Sequence, residues 1–213
     1  MASSEENIFI IEDDAATRES LQAMIENMGY KTRSFDSAES FLEQSAYSSG
    51  GCVLADLRLR GMSGLEFLER LSNSNIPIPV ILVTAFAKTP LTVRAMRRGA
   101  VNVLDKPLDE HQLWDAIREA LCLDRHRRER LQSHQEIQAR FDALTIQERQ
   151  VLKMMVSGLT NREIASHLDV STRTIEARRH NIFRKTQTTT VPDLVKLTVV
   201  YEESQGGPSQ LGP

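Results

Sequence analysis

Four separated stretches of this sequence end in groups that handle charged oxygens: Glu12-Asp13-Asp14, Asp56, Thr84 and Lys106. Apolar runs precede them, NIFII, GCVLA, PVILV and VNVL. If those runs are parallel strands of one sheet, their carboxyl ends converge on one rim, which is where such sheets bind ligands. Three carboxylates gathered there repel one another, and a hard cation relieves the repulsion. Mg²⁺ takes oxygen ligands, one or two carboxylates, several waters and often a phosphate oxygen. A carboxylate can also be the nucleophile that accepts a phosphoryl group. The transition state then needs its equatorial oxygens neutralised, and a cation, a lysine and a hydroxyl donor supply that. Taken alone, each piece has a plainer reading. Glu12-Asp13-Asp14 caps a helix starting near Ala15, Lys106 is a surface lysine and Thr84 a strand residue. Their recurrence in register with the strand ends favours the chemistry.

The elements that must position these groups are legible as an alternation. Asn7–Glu12, Tyr30–Ser34, Gly51–Asp56, Pro79–Thr84 and Val101–Leu104 read as strands, and Ala15–Met28, Ser37–Gln44, Ser63–Leu71 and Leu91–Arg98 as helices. Asp109 caps a last helix carrying Leu113, Trp114, Ile117 and Leu121. Continuous apolar strands separated by amphipathic helices predict a doubly wound (βα)5 α/β domain with a parallel sheet covered on both faces. Asp124–Arg140 is highly charged, without Gly or Pro, and would continue the last helix as an exposed linker. Leu144–Leu197 reads as several short helices, and Ser204–Pro213 is rich in Gly, Pro, Ser and Gln, the composition of a disordered tail.

Composition narrows the classes. No apolar run approaches the roughly 20 residues of a membrane span. The opening MASSEE lacks the basic-then-apolar pattern of a secretory signal, so the expected compartment is the cytoplasm, without a membrane partner. Cys52 and Cys122 suit a reducing compartment, and the five histidines form no metal-binding spacing. Residues 1–122 carry 12 Lys and Arg against 18 Asp and Glu, and residues 123–213 carry 14 against 11. An acidic first part and a basic second part suggest two domains with different partners, the second facing nucleic acid. A solvated surface with random asymmetry gives the same count.

In FIIEDDAATRESL, VLADLRLRGMSGLEFL, VILVTAFA and VLDKPL, the chain resembles the receiver domains of bacterial two-component systems, over about residues 7–120. The resemblance implies that Asp56 is the phosphoacceptor. It makes Asp13 and Asp56 Mg²⁺ ligands, with the Arg58 carbonyl as a third and Glu12 acting nearby through water. Lys106 would pair with the phosphoryl group, Thr84 would hydrogen-bond to it, and Lys106–Pro107 would be cis. The chain departs from the pattern at Arg60, usually Pro, at Val103, commonly aromatic, and at Lys88, often small or acidic. The usual Thr/aromatic switch is thereby in question. Arg58 and Phe86 would flank the phosphate and slow its hydrolysis.

Residues 144–185 resemble the helix-turn-helix of NarL/FixJ/LuxR-type regulators in Leu144-Thr145, Glu148–Leu152, Gly158-Leu159, Asn161-x-Glu163-Ile164-Ala165 and Val170-Ser171-x-Arg173-Thr174-Ile175. Thr145 with Glu148 fits a capping box. Asn161–Leu168 is a first helix, Asp169-Val170 the turn, and Ser171 or Thr172 caps a recognition helix running to about Lys185. Such a helix lies in the major groove of duplex DNA. Glu176, Ala177, Arg179 and His180 are the expected base contacts. Thr160, Asn161, Arg173, Thr174, Arg178 and Lys185 are the expected phosphate contacts.

Together these imply a receiver domain over residues 1–122, a helical linker over 123–141, a DNA-binding domain over 142–203 and a tail over 204–213. The implied function is a transcriptional regulator. A sensor histidine kinase phosphorylates Asp56, and the protein then forms a homodimer, binds promoter DNA and acts on RNA polymerase, usually as an activator. The alternative is a constitutive DNA-binding regulator whose receiver no longer switches. It is not expected to be an enzyme on a small substrate, although a receiver catalyses its own phosphorylation and dephosphorylation. Haloacid-dehalogenase-type enzymes carry a second Asp two positions after the nucleophile, where this chain has Arg58. The chain also lacks G-x-G-x-x-G and a P-loop.

Overall fold

The structure, a computed structural model, describes residues 6–44, 50–74, 76, 78–85 and 89–205. The chain divides into two units, Met1–Glu129 and Arg130–Pro213.

In the first unit strands and helices alternate: β1 (Asn7–Ile11), α1 (Ala15–Asn27), β2 (Lys31–Phe35), α2 (Ala38–Glu43), β3 (Gly51–Asp56), α3 (Gly64–Asn73), β4 (Val80–Thr84), α4 (Thr89–Arg97), β5 (Asn102–Asp105) and α5 (Glu110–Asp142). All pairings are parallel, in the order β2-β1-β3-β4-β5. Alternate strand side chains face opposite sides, and both sides are dry. Phe9, Ile11, Val53, Ala55, Val80 and Leu82 pack with residues of α2, α3 and α4. Ile8, Ile10, Cys52, Leu54, Ile81 and Val83 pack with residues of α1 and α5. Phe41 of α2 sets its ring edge-on to Phe9, Phe35 and Phe67, with centroids 5.3–5.5 Å apart, the geometry that the ring quadrupole favours.

The sheet order reverses between β1 and β3, the position where doubly wound folds open a crevice at the carboxyl ends. Glu12 and Asp56 lie at those two ends. Helix starts are capped by Asp14 for α1, Ser37 for α2 and a Ser63–Glu66 capping box for α3. Asp109 caps α5 by accepting the Gln112 N–H at 2.9 Å. The second strand lies one residue later than the sequence suggests. The period-2 pattern there is weak, because KTRSF is an edge strand whose one fully buried side chain is Phe35.

The charged stretch 124–140 is helical and belongs to α5. Leu113, Ala116, Ile117 and Ala120 of α5 lie in the core of the first unit. Ile137 and Phe141 belong to the core of the second.

The second unit adds α6 (Ile146–Val156), α7 (Asn161–His167), α8 (Thr172–Thr186) and α9 (Val191–Gln205). Capping boxes Thr145–Glu148 and Thr160–Glu163 start α6 and α7, and Ser171 starts α8. Asp169 makes the turn between α7 and α8 with a left-handed backbone, a conformation that Asp tolerates better than most residues. Val151, Leu152, Met155, Ile164, Ile175, Ile182 and Leu194 form the core. Helix α9 runs two residues into the segment expected to be a tail, and residues 206–213 lie outside the described residues. No helix among the described residues is long and apolar enough to cross a membrane.

Candidate functional site

Lys106, directly after β5, joins the acidic ends of β1 and β3. Its Nζ donates to Glu12 Oε2 at 2.7 Å and to Asp56 Oδ2. The other Asp56 oxygen, Oδ1, accepts the backbone N–H of Arg58 at 2.7 Å. Thr84, buried at the end of β4, pairs in register with Asp105, and its carbonyl accepts the Lys106 N–H at 2.7 Å. Ordinary parallel-sheet hydrogen bonding therefore places the lysine, the hydroxyl residue and the two carboxylates at one rim. The Lys106–Pro107 peptide is cis.

The acidic run divides its labour. Glu12 is 3% exposed, and its carbonyl accepts a hydrogen bond from Arg18 Nη1 at 2.7 Å. Asp14 caps α1, accepting the Thr17 N–H and hydroxyl at 2.8 and 2.7 Å. Asp13 does neither and pairs with Arg60 Nε at 3.0 Å. Of the three carboxylates, Asp14 is the helix cap and Glu12 the partner of Lys106. Burial pushes the Glu12 carboxyl above the usual glutamate range; the Asp56 charge adds to the rise and the Lys106 hydrogen bond opposes it. Burial alone would lower Lys106, but its hydrogen bonds to Asp56 and Glu12 outweigh it and hold the ammonium above the usual lysine range.

This rim suits Mg²⁺. Its donors are hard oxygens, the carboxylates that follow β1 and end β3. Among the described residues no group of three or more His, Cys, Asp or Glu side chains is placed to hold a metal ion by itself. Mg²⁺ asks only one or two carboxylates and keeps its waters. Asp13, Asp56 and the Arg58 carbonyl would hold it, with Glu12 behind. Phe86 and Lys88 lie outside the described residues. Val103 packs partly buried against the core face that includes Ala95 of α4.

In the second unit, α8 buries Ile175, Ile182 and Thr186 and exposes Arg173, Glu176, Ala177 and His180 on the opposite face. Arg178 and Arg179 flank that stripe half-buried, with the Arg179 guanidinium 5.9 Å from the Phe183 ring centroid. Arg184 continues the stripe four residues after His180 and is exposed. It lies outside the expected contacts, and its Nη2 donates to Asn181 Oδ1 at 3.3 Å. Asn161, half-buried, opens α7.

Three expected phosphate contacts turn out to have structural partners. The Thr160 hydroxyl is taken up in its capping box with Glu163, and the Thr174 hydroxyl shares a hydrogen bond with Ser171. Lys185 Nζ donates to the buried Glu148 at 2.7 Å, tying α8 to α6. A buried carboxylate needs that cation more than the surface can offer it to solvent. Burial alone would raise the Glu148 pKa, but Lys185 and the Thr145 cap outweigh it and hold it below the usual glutamate range. Lys185→Met is expected to cost about 1–3 kcal/mol, seen as faster hydrogen exchange in α6 and α8. Because the folded pKa is depressed, the stabilisation by Glu148 is complete above the ordinary value of 4.5 and lost as pH falls through the folded one. Glu148→Gln should therefore flatten the acid side of the stability curve. An unchanged acid slope would remove Glu148 from the account.

Comparison with known proteins gives two matches that cover the two units. Residues 8–118 match the family described as response regulator receiver domain. Residues 142–198 match bacterial regulatory proteins, luxR family. The chain is similar to the transcriptional regulatory protein FixJ of Bradyrhizobium diazoefficiens, 36% identical over 193 residues, 91% of this chain and 94% of that protein. It is also similar to the response regulator protein TmoT of Ectopseudomonas mendocina, 34% identical over 204 residues, 96% of this chain and 93% of that protein. Among solved structures, the low-resolution structure of the response regulator StyR matches with a TM-score of 0.87 and 36% identity, over 92% of this chain and 100% of that one.

Proposed function

The chain belongs to the two-component response regulators that join a receiver domain to a LuxR-type DNA-binding domain, and from that membership we propose that it is a transcription regulator switched on by phosphorylation of Asp56. The observation that carries the reading is Lys106 bridging Asp56 and Glu12 at the β1/β3 crevice.

The donor is the phosphohistidine of a sensor kinase. An Asp56 carboxylate oxygen attacks phosphorus, the oxygen–phosphorus bond forms, and the nitrogen–phosphorus bond to histidine breaks. The Lys106 ammonium, already on Asp56, neutralises the charge that builds on the phosphoryl oxygens. The Thr84 O–H donates a hydrogen bond to them, and the Arg58 N–H, donating to Asp56 Oδ1, fixes the carboxylate. Mg²⁺, if held by Asp13, Asp56 and the Arg58 carbonyl, would supply further charge neutralisation there. Phosphorylation takes the Lys106–Asp56 contact apart and so favours a second conformation of the rim; the shift is as large as the difference in affinity between the two states. That second state dimerises, pairs two α8 helices with a symmetric duplex site and acts on RNA polymerase, as an activator. A DNA partner supports a cytoplasmic location for a protein of this kind. It turns over no small substrate beyond its own phosphorylation and dephosphorylation.

Val103 favours a second reading, a constitutive DNA-binding regulator, because a small aliphatic side chain packed on the core lacks the aromatic swing expected at that position.

Two measurements test the proposal. Incubation with acetyl phosphate and Mg²⁺ should add one hydroxylamine-sensitive phosphoryl group to the wild-type chain; no uptake would contradict it. Duplex DNA selected from a random pool should then separate two kinds of α8 contact. Arg179→Ala should cost about 1–3 kcal/mol and relax one base position, whereas Arg173→Ala should weaken all sequences alike and lower the salt slope by about one. Equal behaviour of the two variants would contradict the assignment of α8 as the reading helix.

A further inference from the structure

Asp13 is the rim carboxylate that neither caps a helix nor meets Lys106, and its partner is Arg60 Nε at 3.0 Å. Arg60 is not a random surface arginine. It lies in the loop between β3 and α3, where both neighbouring segments are pinned. Leu57 and Leu59 are buried in the core, and the Leu57 N–H donates to Val83 O at 2.8 Å. The Met62 N–H donates to Glu39 Oε1 at 2.9 Å, and Ser63 starts α3 through its capping box. The backbone therefore delivers the guanidinium to Asp13 from a fixed base. The Arg60 side chain is itself 91% exposed, against 21% for Asp13. That exposure makes the contact exchangeable, since an exposed pair holds only weakly.

We propose that Arg60 is the rim's own counter-cation: it occupies Asp13 when no metal is bound and competes with the divalent cation for that carboxylate. It thereby sets the Mg²⁺ concentration at which the site loads. The inference rests on the reading of Asp13 as a metal ligand. The physical basis is charge alone. A divalent ion approaching Asp13 must displace a monovalent one and then remain near it, so both the lost pair and the residual repulsion weaken metal binding.

The test is calorimetric titration of the full chain with Mg²⁺, checked with Mn²⁺ by the electron paramagnetic resonance signal of the free ion. Wild type is compared with Arg60→Lys, Arg60→Gln, Arg60→Glu and Asp13→Asn. Arg60→Gln should tighten metal binding about two- to fivefold, the weight of an exposed ion pair. Arg60→Glu should tighten it further, and Arg60→Lys should stay near wild type. Asp13→Asn should lose most of the binding. If the Arg60 variants all bind like wild type while Asp13→Asn fails, the metal rim stands and the role of Arg60 is overturned. If wild type and all Arg60 variants show no Mg²⁺ binding, the metal reading falls, and the inference with it.

Discussion

Asp56→Asn is expected to lower phosphoryl uptake from acetyl phosphate by at least about 10³-fold, the scale of removing a nucleophile, while leaving the fold intact. The substitution keeps the shape of the side chain, and an amide oxygen can still accept the Arg58 N–H that Asp56 Oδ1 accepts at 2.7 Å. The amide has no carboxylate oxygen to attack phosphorus, and its NH₂ faces Lys106 in place of Oδ2. Lys106 keeps Glu12, so the ammonium is not stranded. The melting temperature should therefore move little. Mass spectrometry after acetyl phosphate and Mg²⁺ treatment reads the result. Phosphoryl uptake by Asp56→Asn at a rate close to wild type would place the acceptor elsewhere.

Gly51→Ala carries the largest expected loss of stability. Gly51 opens β3 at φ +137°, and a Cβ there would lie 1.9 Å from the Asn7 carbonyl oxygen. The obstacle is the backbone of the neighbouring strand, in register at Asn7↔Gly51, so no side-chain rotation relieves it. The Gly51 N–H also donates to the buried Asp124 of α5 at 2.9 Å, and a shifted β3 would take that donor away and leave the carboxylate to Arg128 Nε, 2.8 Å from it. A cost of about 4 kcal/mol or more is expected, enough to send most of the chain to the insoluble fraction. Gly99→Ala is the control. Gly99 has φ +92° but nothing within 4 Å of a Cβ, so only the backbone term of about 1–2 kcal/mol remains. Denaturant midpoints of the two variants measure the contrast, and equal costs would contradict the close approach of β1 and β3. The same strand ends at Asp56, so any soluble Gly51→Ala should also be slow to take up phosphate.

What was legible in the sequence follows from which forces act locally. Capping boxes, apolar periodicity and turn residues lie within a few positions of one another, so the βα alternation and the helix-turn-helix could be read directly. The converging rim was legible because a parallel sheet turns linear order into spatial order. Partnerships between distant side chains were not. Nothing near Lys185 in sequence says that Glu148, on another helix, is buried and needs its ammonium. Nothing in Glu12-Asp13-Asp14 says which carboxylate caps, which meets Lys106 and which meets Arg60. The extent of α5 was legible from the absence of Gly and Pro, but its apolar stripe thins where charge dominates. The two cores it serves became clear only from the packing of Leu113 and Ile117 in one and Phe141 in the other.

The central claim is that phosphate at Asp56 controls DNA binding, and one paired measurement tests it most directly. Sedimentation velocity and duplex-binding isotherms are recorded for wild type and Asp56→Asn, each with and without beryllofluoride and Mg²⁺. The account predicts that dimer formation and duplex affinity rise together in wild type and stay at the basal level in Asp56→Asn. Strong duplex binding that is the same in all four conditions would contradict it and leave a constitutive DNA-binding protein with an inert receiver.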